Sequence, residues 1–127
     1  MASDLIRTRE DMELSGGWYK AVEKSRTKAR SLIRKLVAVD QTTSVVVGNL
    51  LNVEIDRLWR LKYPYVKLTL SNPVRFRMSG AMDFKMGEEE MLFINKPGMI
   101  MGKEELSNKF PQIYREVQAK LIKNQRW

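Results

Sequence analysis

Few side chains in this chain could carry acid–base or metal chemistry. Across 127 residues there is no histidine and no cysteine. The usual proton carrier near neutral pH and the commonest transition-metal ligand are therefore missing. Serine–histidine and cysteine–histidine catalysis, disulfides and thiolate metal sites are excluded outright. Carboxylates, lysine and tyrosine remain. One arrangement of them has a known use. Asp83-Phe84-Lys85, with Glu54 or Asp56 upstream, matches a pattern in which two acids hold Mg²⁺ and a lysine positions the attacking water. A chain of this composition contains about one acid-x-lysine tripeptide by chance, so the match alone does not define a nuclease. Glu88-Glu89-Glu90 reads as a solvated turn, because three adjacent carboxylates diverge instead of converging on one ion. There is no phosphate-binding glycine loop, no zinc spacing and no dinucleotide fingerprint. No catalytic residue, metal or cofactor is implied.

The second constellation is cationic. Lys20, Lys24, Arg26, Lys28, Arg30, Arg34 and Lys35 crowd into residues 20–36, against the single acid Glu23. The chain has a net charge of +8, and residues 18–39 hold seven cations less one acid, or +6 of it. The rest is close to balanced. Placed on a helix over 18–37, Trp18, Val22, Ala29, Leu32, Ile33 and Leu36 fall within an arc of about 100°. The cations take the opposite side, with Thr27 and Ser31 among them. An apolar stripe of this kind fixes a helix to a core and holds cations in register, which is what phosphate binding needs. The alternative is a solvated basic face.

The elements that position these groups follow from periodicity. Residues 1–17 mix acids and bases and end in Ser15-Gly16-Gly17; they read as a mobile N-terminal arm before one α+β domain over 18–127. A second amphipathic helix is expected over 44–62, with Val47, Leu50, Leu51, Ile55, Leu58, Trp59 and Leu61 on one side. Gly48 weakens that helix, and "VVVGNLLNVEI" also reads as a hairpin. Glu54 falls inside the apolar arc and is expected at its edge, or paired with Arg57 or Arg60.

From Tyr65 onward the period becomes two. Short strands are expected over 65–70, 74–78, 82–86, 91–94 and 99–101. Between them lie "SNP", "SGA", "GEEE" and "NKPG", the last a type II turn on Pro97 and Gly98. A C-terminal helix over about 109–124 has Pro111 in its first turn and carries Phe110, Ile113, Tyr114, Val117 and Leu121 in one stripe. The expected fold is α+β: two N-terminal amphipathic helices, an antiparallel meander of four to five short strands, and a C-terminal helix packed on the sheet.

Strict alternation puts Tyr65, Lys67, Arg75, Arg77 and Lys85 on one sheet face, away from Val66, Phe76 and Phe84. Interleaved aromatic and cationic groups can stack bases and hold phosphates, though any solvent face of a sheet has similar residues. Met78, Met82, Met86, Met91, Met99 and Met101 cluster in the sheet region, as core filler or as a subunit contact.

Together these features point to a non-enzymatic binder of nucleic acid, with single strands or RNA favoured over duplex DNA. The alternatives are a self-assembling shell or matrix component, homo-oligomeric through the Met-rich sheet, and a Mg²⁺-dependent nuclease. An anionic membrane ranks below nucleic acid as a partner, since interfacial helices expose bulky apolar faces. The start, "MASDLIRTRE", lacks the apolar run of a signal peptide, and no run is long enough to span a bilayer. An intracellular location, cytoplasmic or with the nucleoid or nucleus, is expected.

Overall fold

The computed structural model describes residues 17–56, 64–77, 82–84 and 89–124. It is α+β, with one antiparallel sheet and three α-helices. Helix α1 covers 17–30 and ends in a turn over 31–34. The strands are β1 (Leu36–Asp40), β2 (Ser44–Asp56), β3 (Tyr65–Arg77), β4 (Met82–Phe84), β5 (Glu89–Ile94) and β6 (Ile100–Met101). A 3₁₀ turn, Pro97–Met99, precedes β6, and α2 (Lys103–Lys109) and α3 (Pro111–Asn124) close the chain. The expected arm over 1–17 lies outside the described residues, except that Gly17 begins α1.

The strand order is β4-β3-β2-β1-β6, and β5 also pairs with β3. Since β2 runs the length of one edge of β3, β4 and β5 must share the other. This sheet is curled. Ile94 lies two strands to one side of Ile55, through Val66, and Ile100 lies two strands to the other side of Val46, through Val39. In a flat sheet those positions would stand roughly 35 Å apart, from the usual rise and strand spacing. Yet the six residues from Ile94 to Ile100 reach at most about 21 Å. The sheet therefore wraps around the face that carries Val37, Val39, Val46, Leu50, Val53, Val66, Leu68, Leu70, Leu92, Ile94 and Ile100. Helix α1 fills this concave side with Val22 and Ala29, flanked by Trp18, Leu32 and Ile33. The convex side carries Ala38, Val45, Val47, Phe76 and Met101, covered by Leu106 of α2 and Val117 of α3.

Over 44–56 the expected second helix is instead one strand, β2, and the hairpin reading of 45–55 fails as well, since that run is unbroken. Two features imitate helical spacing there. Val45 and Val47 serve the convex core while Val46 serves the concave one, so the run is apolar on both sides. Leu51 is an extra residue in the register against β3, so Leu50 and Val53 share a face at a spacing of three. Residues 57–63, which supplied the rest of the expected stripe, lie outside the described residues.

"SNP" is not a turn either. It is an irregularity within β3, which continues from Tyr65 to Arg77 as one strand. Asn72 adopts φ 52, where Asn is tolerated, and supplies the extra residue opposite Gly48. Pro73 sits at that interruption, where it costs no ladder bond. Strand β1 and helix α2 were not anticipated. Leu36 fits the helical stripe of α1, but Arg34 at φ 71 breaks the helix first, and Leu36 packs in the convex core. The "NKPG" segment closes with Met99 N–H donating to the Lys96 carbonyl at 3.1 Å, as a 3₁₀ turn. The C-terminal helix, expected from about 109, begins instead at Pro111, because Lys109 ends α2 and Phe110 separates the two helices; it packs through Ile113, Tyr114 and Val117.

Candidate nucleic-acid interface

Helix α1 is anchored from beneath. Val22, Ser25 and Ala29 are fully buried, and the Ser25 hydroxyl donates to the Ala21 carbonyl at 2.6 Å, which satisfies it inside the helix. At its start Trp18 Nε1 donates to the Pro64 carbonyl at 2.7 Å, and its ring meets Tyr65 edge-on at 5.0 Å. At its end the Arg34 N–H donates to the Leu50 carbonyl, and the Leu50 N–H to the Lys35 carbonyl. The helix cannot roll without breaking one of these ties, so its outward face is fixed.

The seven cations divide in two. Arg26 pairs with Glu23 at 2.8 Å. Lys28 reaches across to Glu105 of α2 at 2.9 Å and also donates to the Pro97 carbonyl. These two fasten the helix to itself and to the β5–β6 connection. Lys20, Lys24, Arg30, Arg34 and Lys35 are exposed and form no ion pair among the described residues. Lys20, Lys24 and Arg30 span roughly 15 Å of helix at 1.5 Å per residue, and Arg34 and Lys35 follow in the turn that leaves it.

The basic sheet face does not assemble. The extra residue at Asn72 reverses the alternation of β3 partway along. Lys67 and Thr69 therefore lie on the convex side with Val74 and Phe76, while Arg75 is opposite Val46 and Arg77 follows it on the concave side. Phe76 and Val66, expected together, sit in separate cores. Lys67 is paired with Glu54 at 3.2 Å, so that carboxylate is exposed on a strand, not at the edge of a helical stripe, and its base is neither Arg57 nor Arg60. Arg75 is paired with Glu90. Tyr65 spends its ring on Trp18. Lys85 lies outside the described residues.

The acid-x-lysine set is dispersed in the same way. Register places Asp83 opposite Arg75, which faces Val46, whereas Glu54 and Asp56 lie at the other end of β2. Eight residues separate Val46 from Glu54, about 26 Å along a strand. Glu89 and Glu90 are successive strand residues and point to opposite faces. No acid cluster able to hold a metal occurs among the described residues. No described helix is long and apolar enough to cross a membrane. Of the clustered methionines, Met101 is buried in the convex core, Met99 packs against the concave one, and Met91 is 59% exposed. Met78 and Met86 lie outside the described residues. No protein-family model matches the chain, and neither does any curated protein.

Proposed function

We propose that this chain is a non-enzymatic nucleic-acid-binding protein that holds the phosphate backbone on the outward face of α1. Lys20, Lys24, Arg30, Arg34 and Lys35 make the contacts. The observation that supports this is the contrast between two sets of cations. Those of the sheet, Lys67 and Arg75, are neutralised by Glu54 and Glu90, while five on α1 and its exit are exposed and unneutralised among the described residues. Cations held on a rigid element need no ordering on binding, and each contact releases condensed counterions. Contacts of this kind set affinity and position without reading sequence.

An anionic membrane is the weaker partner for the same helix. Insertion needs an exposed apolar face, and that of α1 is buried against the concave core.

Fluorescence anisotropy with labelled single-stranded RNA and DNA of unrelated sequences tests the reading. The variant Lys20→Gln/Lys24→Gln/Arg30→Gln is expected to lose about tenfold or more in affinity on every sequence. Lys67→Gln, which removes a cation already paired, is expected to change affinity little. Equal losses in the two variants, or no binding by the wild type, would reject it. Stronger binding to phosphatidylserine vesicles than to RNA would favour the membrane.

A further inference from the structure

We propose that β5 is a self-association edge, and that two copies of this chain pair their β5 strands antiparallel about a two-fold axis at Leu92. This is independent of the nucleic-acid reading. One edge of Glu89–Ile94 is taken by β3, in unbroken register from Ser71 to Val66. The other edge has no strand partner among the described residues. An open edge normally carries a protective feature such as a bulge, a proline or an inward charge. The stretch of β2 beyond β1, which has no second strand partner among the described residues, has one, the extra residue at Leu51, with polar Asn52 and Glu54 following. Strand β5 has neither bulge nor proline, and its one inward charge, Glu90, is neutralised by Arg75 of its own sheet. Instead it presents Met91, 59% exposed, and Phe93, 37% exposed, side by side on the convex face, and neither belongs to the core that α2 and α3 cover.

The occupant is set by the strand's own complementarity. Antiparallel pairing about Leu92 puts Met91 opposite Phe93 of the second copy, and Phe93 opposite its Met91, giving two sulfur–aromatic contacts. The same register sets Glu89 opposite Asn95, with the exposed Lys96 beside it, so the acidic start of each strand meets the basic end of the other. Such a pairing is isologous and closes as a dimer without leaving a free β5 edge.

Light scattering on the wild type at its highest soluble concentration is expected to give twice the mass of one chain. Met91→Lys/Phe93→Lys is expected to give one chain mass with an unchanged circular dichroism spectrum. Since the chain has no cysteine, register can be read directly. A mixture of Met91→Cys and Phe93→Cys proteins is expected to form disulfide dimers faster than either alone, because opposed strand positions lie within disulfide reach. A monomeric wild type, as when the chain's own residues 1–16 cover the edge, would overturn the proposal. So would Met91→Cys cross-linking alone as fast as the mixture.

Discussion

Gly48 shows how tightly single positions are constrained. A Cβ there would stand 2.9 Å from the Ser71 carbonyl oxygen and 3.1 Å from Leu70 Cβ. Backbone must move to admit it, because the neighbour is the other strand at its irregularity. Gly48→Ala is expected to destabilise by about 1–3 kcal/mol in urea denaturation, as overpacked core sites do. At Gly102 the nearest atom is Leu32 Cδ2 at 3.3 Å, the end of a flexible side chain. Gly102 is also the N-cap of α2, where alanine is disfavoured, so Gly102→Ala is expected to cost about 0.5–1 kcal/mol, less than Gly48→Ala. Arg75 is a different case. Its partner Glu90 is 13% exposed, and Glu90 Oε2 is buried without a hydrogen bond among the described residues. Arg75→Met would strand that carboxylate and is expected to cost about 2–3 kcal/mol by the same measurement. A loss of nucleic-acid binding in an Arg75 variant would therefore need a folding control before it spoke for the sheet.

At the scale of elements, α1 is held by its two ends. Trp18→Phe keeps the ring against Tyr65 but removes the bond to the Pro64 carbonyl. It is expected to cost about 1 kcal/mol, with hydrogen exchange rising first at the start of α1. The stripe of this helix was legible because one side of it is solvent and the other core, so charge and apolarity separate at 3.6 residues. Strand β2 was legible only as the hairpin alternative to a helix, not as one long strand. Its valines feed two cores, and the bulge at Leu51 turns a period of two into a spacing of three. The sheet face failed for a related reason. Strict alternation does not survive Asn72, where one extra residue reverses every side chain beyond it. The cations themselves were visible in the sequence. Their pairing with Glu23, Glu105, Glu54 and Glu90 was not, because three of those four partners come from other elements.

For the whole molecule, the curled sheet separates two surfaces. The concave side is closed by α1, which turns its charged face outward. The convex side is half covered by α2 and α3, with Lys109 of α2 lying 3.7 Å from Asp40 of β1. Its other half ends at β5. The proposed phosphate contacts on α1 and the proposed pairing at β5 use different residues, so the two readings stand or fall separately. The central claim concerns the first of these, and the salt dependence of oligonucleotide affinity tests it most directly. For single strands, each phosphate contact contributes a slope of about −0.7 in log affinity against log salt. Removing Lys20, Lys24 and Arg30 together by substitution with Gln is expected to flatten the wild-type slope by about 2, equally for unrelated sequences. An unchanged slope in that variant would contradict the account and leave the outward face of α1 as solvated surface.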